Sequence, residues 1–114
     1  NNQYMDFPYL VNKLKSMEGL PDVYICGNDW TAIQVMHAMQ FLGHRIPEEV
    51  AFVGFDDINQ SAKCNPPLTT IHTPKEQLGI AAANCLLTRI RAPKTPCVFS
   101  QYSTELIIRE STDI

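Results

Sequence analysis

The chain has 114 residues, of which 45% are apolar and 18% charged, so it suits one globular domain and gives no reason to expect disorder. Its net charge of -3 leaves no basic surface able to neutralise several phosphates, which excludes sequence-independent binding to duplex DNA by this chain alone. The apolar runs are too short to cross a bilayer, and the first residues lack the basic and then apolar pattern of a signal peptide, so we expect no membrane partner.

The first three predicted elements are a helix, a strand and a second helix. Apolar residues recur at helical spacing over residues 7–17, with Asp6 as a candidate N-cap. Residues 22–27 form a short run rich in β-branched and aromatic side chains, which predicts a strand. A longer helical pattern covers residues 31–42 and ends at Gly43.

The second strand is predicted at residues 50–55, which are apolar at nearly every position. A parallel strand that is covered on both faces has this composition, so we place it at the centre of the sheet. Residues 58–65 predict one short helix, and residues 68–72 predict a third strand.

A long helix is predicted at Lys75–Arg91, because Thr73, Pro74 and Glu76 have the spacing of a capping box with proline at the first helical position. The residues expected to form its buried face are Leu78, Ala81, Ala82, Cys85, Leu86 and Ile90.

The order of these elements predicts an α/β fold with a mostly parallel sheet and helices on both faces, a Rossmann-like arrangement. Two edge-like strands, at residues 97–101 and 104–109, complete it. Parallel strands joined by helices of this length form the βαβ units on which the prediction depends.

The four cysteines are Cys26, Cys64, Cys85 and Cys97, and none of them belongs to a CxxC pair. At least two lie within apolar periodic runs, so we favour buried or half-buried free thiols over a disulfide framework or a zinc site. Free thiols fit a reducing cytoplasm. The spacing of the potential ligands predicts neither a metal site nor a cofactor site.

Polar side chains follow two neighbouring strands at the point where each strand ends. Asn28 and Asp29 come directly after one strand, and Asp56 and Asp57 come directly after the next. Ligands of such sheets bind at the carboxyl ends of the strands, so we expect Asn28 and Asp56 to converge there and to hydrogen-bond hydroxyls, as in a sugar or nucleoside. For Asp29 and Asp57 we favour helix capping.

Three segments of the sequence together resemble one family: "GNDWTAIQVMHAMQFLGHRIPEEVAFVGFDDI", then "PPLTTIHTPKEQLG", then "TELIIREST". Their order and spacing over residues 21–112 are similar to the C-terminal effector-binding subdomain of the LacI/GalR transcription repressors. The resemblance implies a periplasmic-binding-protein-like core, in which two α/β subdomains close on a small effector such as a sugar or a nucleobase. It also implies an operator-binding helix-turn-helix domain at the N-terminus of the parent protein.

The chain begins at Asn1 without an initiator methionine, so we expect a fragment. Residues 1–114 would be the C-terminal subdomain, without the N-terminal subdomain or the helix-turn-helix, and operator DNA would be bound only through that absent domain.

The resemblance assigns effector contacts to Asn28 and Asp56, in agreement with their positions at the strand ends. It also aligns Lys75 with an effector contact of some members. Asp57 is expected to cap a helix or to support the effector contacts, and His72 is expected to be a structural histidine with its hydrogen bonds satisfied.

The second helix predicts a homodimer interface. Its core-facing arc is expected to contain Ala32, Val35, Met36, Met39 and Leu42. Ile33 and Phe41 fall among polar residues and are expected to be exposed in a monomer. The resemblance places Ile33 and Met36 on the dimer-contact helix and Cys64 in a contacting segment, so Ile33, Met36, Phe41 and Cys64 form the expected interface.

Three classes of function remain at this point. The first is the effector-binding and dimerisation subdomain of a cytoplasmic repressor, which we favour. The second is a periplasmic-type sugar-binding receptor of the same fold. The third is an enzyme that uses Asp56 and Asp57 as paired acids, which we exclude because adjacent residues at a strand end diverge and no nucleophile and base pair is evident.

Overall fold

The computed structural model describes residues 6–114, in which helices and short strands are interspersed. In chain order the elements are α1 (Phe7–Lys15), β1 (Val23–Ile25), α2 (Asp29–Phe41), β2 (Ala51–Val53), β3 (Thr70–His72), α3 (Lys75–Arg91), β4 (Glu105–Ile107) and a 3-10 helix at Glu110–Thr112. The α/β fold class that the sequence predicts is confirmed.

The sheet is built around β2, as the apolar run at residues 50–55 predicts. On one side β1 pairs with β2 in parallel, with Tyr24 opposite Phe52. On the other side, parallel bridges join Val53 to Thr69 and Asp56 to His72, which brings β3 alongside β2. β4 runs antiparallel to β3. The spatial order is therefore β1, β2, β3 and β4, with β2 inside.

The core lies between α2 and the sheet. Phe52 of β2 is fully buried and stacks on Tyr24 of β1, with ring centroids 5.2 Å apart. The other buried members of this cluster are Ala32, Ile33, Val35, Met36, Met39, Ile46, Val50 and Leu68. Burial of branched and aromatic side chains at about 25 cal/mol per Å² of apolar surface is the main force that holds α2 against β2.

The long helix α3 extends away from this core, and none of its residues is buried. The radius of gyration is 18.6 Å, whereas a compact domain of this length has about 13 Å. The buried face expected for α3 is therefore wrong within this chain, because residues 6–114 place no element against its apolar side. No helix in that range is long and apolar enough to span a bilayer.

Three local predictions are also wrong. Residues 59–63 form turns instead of a helix, because Asp29 binds the amide of Ile58 and Pro66 follows the segment. Residues 97–101 form no strand, since no described strand offers them a partner. The capping box is not made: α3 has Pro74 at its N-cap without a side-chain cap, and the Lys75 amide donates to the Thr73 carbonyl at 2.7 Å.

The cysteines are all unpaired. Cys26 and Cys64 are half-buried, as expected, but Cys85 and Cys97 are exposed, because they lie on and beside the extended helix α3. Within residues 6–114, no group of three or more histidine, cysteine or acidic side chains could hold a metal ion.

Candidate functional site

The carboxyl ends of β1 and β2 meet at one rim of the sheet. The amide of Asp29 donates to the carbonyl of Phe55 at 2.9 Å, and this bond ties the start of α2 to the end of the β2 segment. Asn28 directly precedes Asp29 in the sequence, and Asp56 directly follows Phe55. The two polar clusters that the sequence places after successive strands therefore lie side by side.

Asn28 is the N-cap of α2, a role that the sequence analysis gave to Asp29. Its backbone is extended and its Oδ1 accepts a hydrogen bond from the Thr31 amide at 2.8 Å. This bond satisfies one of the free amides of the first turn. Among the described residues the Asn28 side-chain nitrogen has no partner, so an amide donor remains available at the rim.

Asp56 has a backbone conformation that non-glycine residues rarely adopt, with φ at 109°. Its amide donates to the Ile71 carbonyl at 3.0 Å, and its own carbonyl accepts from the ammonium of Lys75. These two contacts hold the residue between β3 and the start of α3. Its carboxylate makes no hydrogen bond to any residue in the range 6–114, so a negative charge stands free at the rim. Strained backbone of this kind is concentrated at ligand sites.

Asp57 is not a helix cap, because no helix follows it. Its two carboxylate oxygens bind Arg109 Nη2 at 2.7 Å and His72 Nδ1 at 2.9 Å. Burial alone would raise the pKa of this carboxyl, but the hydrogen bonds from Arg109 and His72 outweigh burial and lower the pKa below its ordinary value of 3.8. His72 is thus a structural histidine, as expected, and Asp57 supports the site through Arg109.

Asp57→Asn is expected to lower the unfolding free energy at neutral pH by about 1.5–3 kcal/mol, the range for hydrogen bonds to a charged group. Because the folded-state pKa of Asp57 is depressed, the charged carboxylate stabilises the fold above pH 3.8 and this contribution is lost as the pH falls towards the folded-state pKa. Urea unfolding from pH 7 to pH 3 should therefore show the gap between the two proteins narrowing in acid. A gap that is constant or widens would mean that Asp57 is not held as an ion pair.

A buried carboxylate lies directly beneath the rim. Asp29 is fully buried, and its Oδ2 accepts from the Ile58 amide at 2.9 Å and from the Ser61 hydroxyl at 2.6 Å. Its Oδ1 accepts from the Thr70 hydroxyl at 2.5 Å. These bonds join α2, the loop after Asp57 and β3, so Asp29 fixes the segment that carries Asp56 and Asp57.

The terminal segment closes the other side of the site. Arg109 also donates to the Leu68 carbonyl at 2.9 Å. Ser111, which is fully buried, donates to the Phe52 carbonyl at 2.7 Å and accepts from the Thr69 amide at 2.8 Å. No role was predicted for Arg109 or Ser111. Their signal in the sequence is the polar triplet Arg-Glu-Ser, which begins at the last residue of the strand predicted at residues 104–109 and belongs to the segment "TELIIREST" of the family resemblance.

The expected interface residues differ in exposure. Ile33 is only 7% exposed and Met36 only 1%. The expectation that Ile33 is exposed is therefore wrong, and Met36 lies in the core, because Val50, Phe52 and Leu68 pack in the same cluster. Phe41 is 70% exposed, in agreement with the prediction.

A groove of about 410 Å³ lies between α2 and the loop before β3. It is lined mainly by Trp30, Ile33, His37 and Cys64, so two of the expected interface residues lie in one surface feature. Trp30, which is 50% exposed, is the most prominent apolar side chain there and was not predicted as an interface residue.

A larger cavity, of about 620 Å³, opens at the opposite end of the sheet. Its lining includes His44, Glu48, Asn65 and Asp113, which lie at the amino ends of β2 and β3 or near the C-terminus. We place the candidate site at the carboxyl ends instead, because the free carboxylate, the free amide and the strained residue converge there.

Both the sequence and the fold of the chain are similar to those of known proteins. Residues 2–112 match the model of the periplasmic binding protein-like domain. The HTH-type transcriptional repressor PurR of Haemophilus influenzae strain PittEE is 43% identical over 106 residues, which cover 89% of this chain and 31% of that protein. The chain spans about 30% of the length of the curated relatives that it matches.

Two solved structures show the same fold. A LacI family transcriptional regulator from Enterococcus faecium with bound ribose has a TM-score of 0.82 and 26% identity, covering 96% of this chain and 40% of that one. The lac repressor dimer bound to operator and the anti-inducer ONPF has a TM-score of 0.80 and 26% identity, covering 93% of this chain and 32% of that one.

Proposed function

Because the chain belongs to the family of periplasmic binding protein-like domains, we propose that it forms the C-terminal half of the effector-binding core of a LacI/GalR-type transcription regulator. The parent protein would bind operator DNA through an N-terminal domain outside this chain and would act in the cytoplasm. Transcriptional repressors among its relatives support this assignment over a periplasmic receptor and over an enzyme.

The effector in this proposal is a small polyhydroxylated molecule, with a sugar as the first candidate. The observation that carries it is the free carboxylate of Asp56 beside the free amide nitrogen of Asn28, since a charged acceptor and a donor together match vicinal hydroxyls. A solved relative that holds ribose supports the same chemistry. A nucleobase, whose ring nitrogens and amino groups offer similar partners, is the alternative.

Lys75 has a positional role in this proposal. Its ammonium reaches the carbonyl of Asp56, so it fixes the backbone of the strained residue from the side of α3. A bound effector would meet Asp56 and Asn28 first and would contact Lys75 at the edge of the site.

In this proposal, a second subdomain outside residues 1–114 would form the other wall of the effector site. The apolar side of α3, which includes Leu78, Leu86 and Ile90, is exposed in this chain. We assign this side of α3 to packing against that second subdomain, because exposed apolar surface of this extent marks an interaction site.

Asp56→Asn is expected to weaken effector binding by about 1–3 kcal/mol, because one carboxylate acceptor becomes a donor facing a hydroxyl. This loss corresponds to an increase in Kd of about 5- to 150-fold. Isothermal titration calorimetry on the full-length protein, after a thermal-shift screen of ribose, other aldoses and nucleobases, measures it.

Asp22→Asn is the matched control, since Asp22 is exposed at the opposite, amino end of β1 and should leave affinity unchanged. Equal affinities for wild type and the Asp56 variant would remove Asp56 from the site. Tight binding of nucleobases without binding of any sugar would replace the sugar assignment while leaving the regulator assignment intact.

The proposed protein is a homodimer, with the α2 groove as part of its interface. Trp30, His37 and Phe41 share one face of α2, and the groove continues through Ile33 to Cys64. The dimer of the structurally similar lac repressor supports such an assembly. Large aromatic side chains dominate the binding energy of protein interfaces, so Trp30 is the expected anchor.

Trp30→Glu is expected to weaken dimerisation by at least about 2 kcal/mol, or roughly 30-fold in Kd, because it replaces the anchor by an unpaired charge. Sedimentation velocity on the full-length protein measures this, with Ile108→Glu as a control at an exposed apolar position outside α2. Ile33 is unsuitable for the test because its burial would make a charged variant unfold. If the Trp30→Glu variant dimerised at the same protein concentration as the wild type, the dimer would use another face.

A further inference from the structure

The charges at the rim of the sheet are predominantly negative. Glu76 lies in the first turn of α3, directly after the end of β3. Glu105 of β4 lies opposite His72 in the register of β3 and β4. The acidic residues at or beneath the rim are Asp29, Asp56, Asp57, Glu76 and Glu105, and the basic residues that reach it are His72, Lys75 and Arg109. A ligand at this rim therefore meets more negative than positive charge.

The three basic groups are already engaged by acceptors of the chain. Arg109 donates to the Asp57 carboxylate at 2.7 Å and to a backbone carbonyl just before β3 at 2.9 Å. His72 Nδ1 lies 2.9 Å from the other carboxylate oxygen of Asp57. The ammonium of Lys75 donates to the carbonyl of Asp56. Within residues 6–114, an anionic ligand at the rim would find no positive group that is free of such a contact.

The N-terminus of α2 lies at the rim, and helix N-termini commonly bind anions through their free amides. Here the Asp29 amide donates to the Phe55 carbonyl at 2.9 Å, and the Thr31 amide donates to Asn28 Oδ1 at 2.8 Å. The fully buried Asp29 carboxylate lies in the same turn, and its three hydrogen-bond donors are all uncharged. Its negative charge opposes the positive end of the helix dipole, so the start of α2 does not favour an anion.

The N-terminus of α3 is compensated in a similar way. The Lys75 amide donates to the Thr73 carbonyl at 2.7 Å, and the Leu78 amide donates to the Pro74 carbonyl at 2.9 Å. Glu76 places a carboxylate in the first turn. Both helices that begin at the rim therefore carry an acid where a phosphate-binding helix needs positive potential.

We propose that the effector site selects an uncharged, polyhydroxylated molecule and rejects the phosphorylated and carboxylated forms of that molecule. The proposal rests on the proposed effector site at Asn28 and Asp56 and specifies the class of effector that this site takes. Sugar phosphates, sugar acids and nucleotides are the classes that it excludes.

The physical reason is the free carboxylate of Asp56. It accepts hydrogen bonds from hydroxyl groups, but a phosphate or carboxylate beside it adds a second negative charge without a donor. Closure of a binding site removes water, which lowers the effective dielectric constant and strengthens the repulsion between like charges. An uncharged sugar avoids this repulsion, because its hydroxyls donate to Asp56 and accept from the amide nitrogen of Asn28.

The test compares matched pairs of ligands by isothermal titration calorimetry on the full-length protein. The pairs are D-ribose with D-ribose 5-phosphate, D-glucose with D-glucose 6-phosphate, and adenosine with adenosine 5′-monophosphate. In each pair that binds, the phosphorylated compound should have a Kd at least about tenfold higher than its uncharged partner. Raising the salt concentration should narrow this gap, because added ions screen repulsion between charges but do not relieve a steric clash.

Two variants separate charge from size. Asp56→Asn should weaken the uncharged ligand and narrow the gap within the pair by at least about threefold, because the repelling charge is gone. Glu76→Gln should leave the uncharged ligand unaffected and tighten the phosphorylated ligand by about twofold, since Glu76 is exposed beside the site. Asp22→Asn, at the opposite end of the sheet, should change neither Kd nor the gap.

Three results would overturn the proposal: a phosphorylated ligand that binds as tightly as its uncharged partner, a gap that neither salt nor Asp56→Asn narrows, or binding of phosphorylated compounds alone. The first, together with weaker sugar binding in Asp56→Asn, would remove the charge selection and leave the proposed effector site intact. Unchanged sugar affinity in Asp56→Asn, or no binding of any of the six compounds, would instead remove the proposed site and this inference with it.

Discussion

Gly54→Ala is expected to lower the unfolding free energy by about 3–5 kcal/mol, although it adds a single methyl group. A Cβ at this position would lie 2.1 Å from Asp29 Oδ1 and 2.9 Å from Leu68 Cδ2. Asp29 cannot move aside cheaply, because its carboxylate is fully buried and holds three donors. The methyl group therefore forces either a shift of β2 or the loss of these bonds.

Urea unfolding of both proteins at neutral pH measures the effect. Gly27→Ala is the matched control, since a Cβ there meets no atom within 4 Å and Gly27 lies at the same rim, at the end of β1. That variant should stay within about 0.5 kcal/mol of wild type. A Gly54 variant as stable as the Gly27 variant would mean that the Asp29 carboxylate adjusts without losing its hydrogen bonds.

The central strand and the placement of Asn28 and Asp56 at one rim of the sheet were predictable because they depend on local patterns. A run such as Val50 to Val53 has few alternatives to a doubly covered strand, and Phe52 is indeed fully buried. The first polar residue after such a strand must lie at its carboxyl end. Asn28 and Asp56 follow directly from this rule, and the Asp29 to Phe55 hydrogen bond joins the two ends.

The roles of the second acid in each cluster were not predictable, since they depend on residues distant in sequence. Asp29 binds Ser61 and Thr70, which are 32 and 41 positions away. Asp57 binds Arg109, which is 52 positions away. A capping preference is a local property and cannot compete with a buried network of charge-assisted hydrogen bonds. Asn28, and not Asp29, is therefore the N-cap of α2.

The surroundings of α3 were not predictable for a different reason. Its apolar residues recur at helical spacing, but a periodic pattern says only that some partner covers that side of the helix. Residues 6–114 do not supply that partner, so every residue of α3 retains some exposure. A similar argument applies to residues 97–101, whose apolar side chains predict a strand but whose pairing would require another strand.

Asp29→Ala is expected to destabilise the protein by about 3–5 kcal/mol, while Asp29→Asn should cost only about 1–2 kcal/mol. Alanine leaves the Ile58 amide and the hydroxyls of Ser61 and Thr70 buried without an acceptor. Asparagine can keep its oxygen towards Ile58 and Ser61. Its amide nitrogen would then face Thr70, whose hydroxyl can turn to accept a hydrogen bond.

The effect of Asp29→Ala should extend to the effector site, because the Ile58 amide anchors the loop directly after Asp56 and Asp57. At a temperature where the Asp29→Ala variant is still folded, calorimetry should show weaker effector binding than in Asp29→Asn, although neither change touches the exposed rim. Urea unfolding gives the stability ranking of the two variants, and a double-mutant cycle with Ser61→Ala tests whether the loss passes through this network. If asparagine destabilised the protein as much as alanine, the charge of Asp29 would matter more than its geometry as an acceptor, and the hydroxyl of Thr70 would not be free to reverse.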